Sequence, residues 1–80
     1  MMVEARVLKA ARVLLRWSQE ELAKKAGIGQ TTLSKLEAGE KDVRVSTLRA
    51  VQRALEDGGI KFIAADDVYG AGVRLRQPHD

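Results

Sequence analysis

The stretch GIGQTTLSK, residues 27 to 35, places three hydrogen-bonding side chains, Gln30, Thr31 and Thr32, directly behind a glycine-flanked turn. Amide and hydroxyl groups at a helix start can recognise a ligand through hydrogen bonds. The groups that catalysis needs are scarce elsewhere: the chain contains no cysteine and no P-loop pattern, and its single histidine is His79, near the end. We therefore expect a binding protein without a cofactor or metal, not an enzyme.

The length and composition fit one small domain. Eighty residues, 45% apolar and 31% charged, lie near the lower limit for a chain that folds around a single core. Without cysteine, neither a disulfide nor a thiolate metal site can supplement that core, which leaves packing or a partner subunit. The net charge of +3 is compatible with nucleic acid binding but does not establish it. No segment approaches the roughly 18 apolar residues of a membrane span, so we expect a cytoplasmic protein without membrane contact.

The first two helices follow from hydrophobic periodicity and from capping residues. Between residues 3 and 15 the apolar residues recur at helical spacing, which predicts helix one. The segment WSQEEL then contains a capping box, with Ser18 at the N-cap and Glu21 three residues later. Helix two is therefore expected to begin at Gln19 and to end at Gly27, which can adopt the left-handed conformation.

Two further helices are marked by their boundary residues. The opening stretch predicts helix three, with Gly29 at the N-cap and Gly39 closing the helix. After a charged loop, Ser46 is expected to cap helix four, which runs to about Asp57 and is ended by a pair of glycines. Four helices thus account for the chain up to that point.

The hydrophobic pattern changes from helical to alternating after the fourth helix. IKFIA, residues 60–64, and VRLR, residues 73–76, predict two strands. The connecting AADDVYGAG contains enough turn-forming residues for a hairpin, and QPHD, residues 77–80, is expected to fray. The chain therefore divides into a helical part, residues 1–58, and a hairpin with a tail, residues 59–80.

Helices two and three, joined by a tight turn, have the outline of a helix-turn-helix, although an αα-hairpin of any small helical protein shares that outline. Residues 5–57 resemble the phage-repressor type of helix-turn-helix domain, the Cro/xenobiotic-response-element family. The resemblance is ungapped and rests on Arg12, on SQEELA at residues 18–23, on Gly27, on LSKLE at residues 33–37 with Gly39, and on Thr47-Leu48. It implies a mainly α fold, a four-helix repressor-like helix-turn-helix domain. The C-terminal β-hairpin that the alternating pattern predicts departs from the family, because it replaces the family's fifth helix. The resemblance also implies double-stranded DNA as the partner.

The resemblance places helix three in the major groove of DNA. Gln30 matches the family position that reads a base, and a glutamine amide can bond N6 and N7 of adenine together, which is worth about 1–3 kcal/mol of discrimination. Thr31 and Lys35 are the other two candidates for base contact. Without the resemblance, all three have the simpler interpretation of solvated residues.

Other residues are expected to contact phosphates, which positions the domain without reading sequence. Gln19 opens helix two, where unpaired N–H groups can bind a phosphate, and in similar repressors this glutamine also braces the one that opens helix three. The remaining candidates are Thr32, Lys41, Arg44, Ser46 and Thr47. For the basic loop, a solvated surface is a nearly equal alternative.

Two matched residues have a structural role, and two positions depart from the family pattern. Arg12 and Glu37 match the family's interior ion pair between helix one and helix three. Arg16 stands where many relatives have glycine, so a left-handed end of helix one would be strained, or another turn would replace it. Gly29 stands where serine is common, so helix three forgoes a side-chain cap.

The hairpin leaves several functions open. Because an isolated hairpin is marginally stable and exposes strand edges, we expect it to form a homodimer, with Ile60, Phe62, Val73 and Leu75 as candidates; alternatively, it only completes the core of the monomer. The expected function is a sequence-specific DNA-binding transcriptional regulator, a dimeric repressor of a two-fold symmetric operator. One alternative is an antitoxin-like protein that neutralises a partner protein through its hairpin and autoregulates by DNA binding. Another is an adaptor that has lost DNA binding.

Overall fold

The computed structural model describes residues 4–78, which form four α-helices followed by a two-stranded antiparallel hairpin. The helices are α1 (Ala5–Leu14), α2 (Gln19–Ala26), α3 (Gln30–Glu37) and α4 (Val45–Asp57), and the strands are β1 (Ile60–Ile63) and β2 (Gly72–Leu75). The predicted mainly helical fold with a C-terminal hairpin is confirmed. Val3, where helix one was expected to begin, and the end of the tail, His79 and Asp80, lie outside the described residues. Within the described part, no helix is both long enough and apolar enough to cross a membrane.

The capping signals locate α2 correctly. The Glu21 N–H donates to Ser18 Oγ and the Ser18 N–H donates to Glu21 Oε1, both at 3.0 Å, which completes the capping box. At the other end, Gly27 is left-handed with φ 71°, which suits glycine because it has no Cβ. The bounds of this short helix therefore follow from the residues at its two ends.

The start of α4 differs from the prediction. Arg44, not Ser46, occupies the N-cap position, and Ser46 lies inside the first turn of the helix. Arg44 has an extended backbone, with φ −67° and ψ 146°, and its carbonyl accepts the Leu48 N–H at 3.1 Å. The expectation was wrong because it relied on side-chain type, whereas an extended residue can take the cap position without a side-chain hydrogen bond.

The end of α1 is strained, as its sequence indicates. Arg16 is left-handed with φ 60°, and among residues 4–78 it is the one non-glycine with positive φ. Its N–H donates to the Val13 carbonyl at 2.9 Å, and the next N–H, from Trp17, donates to the Arg12 carbonyl at 3.2 Å. The chain thus keeps the sharp left-handed exit from the helix although arginine carries a Cβ, which costs roughly 1–2 kcal/mol.

The hairpin shares its core with the helices. The buried cluster draws on every helix and on β1, and it contains Leu8, Ala11, Leu22, Ala23, Leu33, Leu36, Val51, Ala54, Leu55 and Ile60. Strand β1 packs against α4 and β2 packs against α1. The register sets Ile60 opposite Leu75 and Phe62 opposite Val73, and both Phe62 and Val73 pack against the cluster. Three of the four dimer candidates, Ile60, Phe62 and Val73, therefore contribute to the core of their own chain.

The junction between α4 and β1 is held by Trp17. Its ring lies against Gly58, where an added Cβ would come within 2.7 Å of the ring atom Cζ2 and 3.1 Å of Leu15 Cδ1. The ring also contacts Lys25, whose Nζ lies 4.9 Å from the ring centroid. Gly58 itself has an ordinary right-handed backbone, with φ −78°, so glycine is required there for space and not for conformation.

Substituting Gly58→Ala is therefore expected to lower the free energy of unfolding by about 1–3 kcal/mol, because the new methyl group overlaps the Trp17 ring. Urea denaturation followed by circular dichroism measures the change. Gly70→Ala is the matched control: nothing lies within 4 Å of its Cβ position and no left-handed φ is required. A Gly58→Ala protein as stable as the Gly70→Ala protein would show that the ring does not hold this junction.

Candidate nucleic-acid interface

A three-residue connection joins α2 to α3. The Ile28 N–H donates to the Ala23 carbonyl at 3.0 Å, and the Leu33 N–H donates to the Gly29 carbonyl at 3.1 Å, so both helix ends are bonded into the turn. Leu33 is fully buried and Ile28 packs against the same core cluster. These two residues flank the cap in the positions of a hydrophobic staple, which fixes the direction in which α3 leaves the turn.

Helix α3 has one buried and one exposed side. Leu33 and Leu36 are buried, while the three base-contact candidates, Gln30, Thr31 and Lys35, are exposed. Gln30 and Thr31 open the helix, and Lys35 lies one turn beyond Thr31. Within residues 4–78 their side chains form no hydrogen bond, so the arrangement presents free amide, hydroxyl and ammonium groups to an external ligand.

An ion pair fixes the end of α3 to α1. Arg12 Nε lies 2.7 Å from Glu37 Oε2, and Arg12 Nη2 donates to Glu37 Oε1 at 3.0 Å, which makes the contact bidentate. The exposed fractions of the two side chains are 13% and 3%. Burial by itself raises the pKa of the Glu37 carboxyl, but hydrogen bonds from Arg12 and Gln19 and the positive charge of Arg12 outweigh burial and hold that pKa below its ordinary value of 4.5.

The same ion pair also reaches α2 and the turn before it. Arg12 Nη1 donates to the Trp17 carbonyl at 2.9 Å, and Gln19 Nε2 donates to Glu37 Oε1 at 3.0 Å. We call Arg12, Trp17, Gln19 and Glu37 the positioning network. It ties the start of α2 and the end of α3 to one another, so the two helices cannot rotate independently without breaking charged hydrogen bonds.

The structure places Gln19 differently from the expected glutamine pair. Its amide donates to Glu37, and within residues 4–78 no hydrogen bond joins it to Gln30. Neither this contact nor the one between Arg12 and the Trp17 carbonyl was predicted, because the partners lie on different elements and no local spacing links them. The Ser-Gln sequence at the start of α2 indicates that Gln19 has a function, but it does not identify Glu37 as the partner of Gln19.

The remaining phosphate candidates lie at helix starts and in the α3–α4 loop. Thr32, Lys41, Arg44 and Ser46 are exposed, while Thr47 and Gln19 are half-buried. Helices α3 and α4 both begin without a side-chain cap, so the first-turn N–H groups of each are free to bind an anion. At α2, in contrast, the capping box already uses the N–H groups of Ser18 and Glu21.

The acidic residues of the described part do not gather into a metal-binding cluster. Across residues 4–78, no group of three or more His, Cys, Asp or Glu side chains is arranged to hold a metal ion. The acidic residue Asp66 serves the hairpin turn, where its Oδ1 accepts the N–H groups of Val68 and Tyr69 at 2.8 and 2.6 Å. These contacts lower the pKa of the Asp66 carboxyl.

The chain is similar in sequence and in structure to known helix-turn-helix proteins. Residues 8–56 match the family model HTH_3, described as Helix-turn-helix. Among solved structures, a tyrosine-to-alanine mutant of the restriction-modification controller protein C.Esp1396I is similar, with a TM-score of 0.61 and 27% sequence identity over 65% of this chain and 68% of that chain. No curated protein matches the sequence.

Proposed function

Because the chain belongs to the helix-turn-helix family HTH_3, we propose that it is a sequence-specific double-stranded DNA-binding transcriptional regulator. In this proposal a dimer represses transcription by occupying a two-fold symmetric operator, with α3 in the major groove of each half-site. The observation that carries the proposal is the exposed side of α3, whose hydrogen-bonding side chains have no partner among residues 4–78, while its opposite side lies in the core.

Base reading is assigned to the beginning of α3. The Gln30 amide has the donor and acceptor needed to bond N6 and N7 of one adenine. The Thr31 hydroxyl can bond a base or phosphate and its methyl group can contact thymine, while Lys35 can reach guanine or a phosphate one turn later. All three are exposed, so none has to leave a folded contact in order to reach DNA.

Phosphate contacts are assigned to the residues around this helix. Lys41 and Arg44 precede the uncapped start of α4, where the N–H groups of Val45, Ser46 and Thr47 point outward from the helix end. Thr32 at the start of α3 and Gln19 at the start of α2 complete the set. One N–H of the Gln19 side-chain amide donates to Glu37, which leaves its second N–H and the backbone N–H groups of Gln19 and Glu20 as the donors for a phosphate.

Salt dependence provides the test of this assignment. Each lysine or arginine that contacts a phosphate adds about 0.9 to the slope of log Kd against log salt. Lys41→Ala and Arg44→Ala are each expected to weaken binding to all duplexes and to reduce the slope by about that amount. Arg53→Ala, an exposed position on α4, is the control and should leave the slope unchanged. Wild-type protein without salt-dependent duplex binding would exclude the proposed function.

One observation favours the antitoxin-like alternative. Val68 and Tyr69 at the hairpin tip are 80% and 75% exposed, and tyrosine is enriched among the residues that contribute most of the binding energy at protein interfaces. In that alternative the tip binds and neutralises a small toxic protein. A stoichiometric complex with the product of a neighbouring gene, lost on Tyr69→Ser, would support it, whereas DNA binding without such a partner favours the regulator alone.

A further inference from the structure

We propose that two copies of the chain associate through the outer edge of β2, antiparallel and about a two-fold axis, to form a four-stranded sheet. This inference rests on the dimeric regulator proposed above and names the surface, the register and the charges that would form the dimer. Three observations support the inference: the outward backbone groups of β2, the exposed apolar surface beside β2, and the uneven distribution of charge along the hairpin.

The backbone of β2 has hydrogen-bonding groups directed away from β1. The Arg76 N–H donates to the Gly59 carbonyl at 2.7 Å, so these residues form a hydrogen-bonded pair. Hydrogen-bonded and non-hydrogen-bonded pairs alternate along an antiparallel ladder. The pairs Ile60–Leu75 and Phe62–Val73 are therefore the ones without hydrogen bonds between the two strands. The N–H and C=O groups of Val73 and Leu75 therefore point outward along the free edge of β2, where a second strand can pair with them.

Each strand carries an exposed apolar residue, and the β2 side adds exposed apolar surface from a helix. Leu75 on β2 is 45% exposed and Ile63 on β1 is 40% exposed, while Ile60, directly opposite Leu75, is 5% exposed. Helix α1, which packs against β2, ends in Val13 and Leu14, which are 57% and 42% exposed. A second copy at the β2 edge would cover this surface. The hairpin side chains would thus complete the core of the monomer while the backbone of β2 forms the dimer.

The charges along the hairpin select an antiparallel arrangement. The base of the hairpin is basic, with Lys61 directly opposite Arg74 and with Arg76 beyond it, all exposed. Like charges opposite one another are destabilising within one hairpin. The tip is acidic, with Asp66 and Asp67. Antiparallel pairing sets each acidic tip beside the basic base of the other copy, whereas parallel pairing sets like charges together.

The outward backbone groups and the repulsion between like charges together restrict the register of the two β2 strands. The outward backbone groups allow three registers. In the first, Val73 faces Val73 of the second copy; in the second, Val73 faces Leu75 of the second copy; in the third, Leu75 faces Leu75 of the second copy. The second register sets Arg74 against Arg74, and the third sets Arg74 against Arg76. With Val73 on the two-fold axis, Arg74 lies opposite glycine at position 72 and Arg76 lies opposite glycine at position 70, next to the acidic turn. This register avoids both repulsions.

Charge reversal tests the arrangement with the full-length chain in sedimentation equilibrium at low salt. Asp67→Lys and Arg76→Glu are each expected to weaken the dimer by about tenfold or more, and the double variant should recover most of the loss. Arg53→Glu, on the exposed side of α4, is the control and should leave dimerisation unchanged. Dimerisation unaffected by either single variant, or a double variant weaker than both, would overturn the proposed arrangement.

A second pair of variants tests the backbone edge itself. Leu75→Pro removes the outward N–H, and Leu75→Ala removes the same side chain but keeps that N–H. We expect the proline variant to dissociate at concentrations where the alanine variant is still dimeric; equal dissociation would overturn edge pairing. Duplex binding measured in parallel separates the two proposals. A monomer that binds DNA overturns the interface alone, and a charge-dependent dimer without DNA binding overturns the proposed function alone.

Discussion

Replacing Arg12 with methionine is expected to lower the free energy of unfolding by about 3–5 kcal/mol. The substitution leaves the Glu37 carboxylate, 3% exposed, with Gln19 as its remaining hydrogen-bond donor. It also leaves the Trp17 carbonyl without the bond from Arg12 Nη1. Because small domains have only about 5–15 kcal/mol of stability in total, the variant should unfold at much lower urea than the wild type, measured by circular dichroism.

The double variant Arg12→Met/Glu37→Leu is the control for this experiment. It replaces the ion pair with apolar side chains, which is often close to neutral, so it should recover most of the lost stability. The pH supplies a second control. Because the pKa of Glu37 is lowered in the folded state, its contribution is fully present above the ordinary value and is lost as the pH falls through the lowered value. The difference in free energy of unfolding between the wild type and the Arg12→Met variant should therefore shrink in acid. A cost below about 1 kcal/mol at neutral pH would contradict a role for the ion pair in holding α3.

Substituting Gln30→Ala is expected to reduce discrimination at one operator position by about 1–3 kcal/mol, roughly fivefold to 150-fold. The alanine side chain cannot form hydrogen bonds with N6 and N7 of an adenine, so bases at that position should become nearly equivalent. Because Gln30 is exposed and its side chain is free of hydrogen bonds within the described part of the chain, the stability of the fold should change little. Competition binding with single-base operator variants measures the preference.

The control for this substitution makes the same chemical change on another helix. Gln52→Ala, at a half-buried position of α4, should leave the preference at every operator base intact. A Gln30→Ala protein with unchanged affinity and unchanged base preference would mean that Gln30 does not read a base. That result would leave Thr31 and Lys35 as the candidates for base contact.

Local signals in the sequence determine much of this fold. The capping box at Ser18 and Glu21 and the left-handed Gly27 are interactions between residues close in the chain, which is why the bounds of α2 could be predicted. Ser46 misled the prediction because the cap of α4 depends on the backbone conformation of Arg44. Each strand differs from its predicted bounds by one residue, because pairing and not composition decides where a strand ends.

Long-range contacts account for what the sequence did not predict in the site. The exposure of Gln30, Thr31 and Lys35 follows from helical spacing, since Leu33 and Leu36 must face the core. The bond from Gln19 to Glu37 joins residues 18 positions apart, and the space at Gly58 depends on a tryptophan from another element. Such contacts arise only when the helices pack, so no local pattern specifies them.

The positioning network also connects the hairpin to α3. Trp17 contacts Gly58 through its ring, at the base of the hairpin, and Arg12 through its carbonyl. Arg12 in turn holds Glu37 at the end of α3. A continuous series of contacts therefore links the hairpin to α3. In the proposed dimer these contacts would set the spacing of the two α3 helices, about 34–36 Å for half-sites one turn of DNA apart.

Selection of bound sites from random duplex DNA with the purified protein tests the central claim most directly. The expected result is one enriched motif with two-fold symmetry, whose half-sites are separated by about 10 base pairs or a multiple of that distance. The same selection with Gln30→Ala should lose preference at one position in each half-site. Recovery of sequences without any shared motif would contradict sequence-specific recognition by α3.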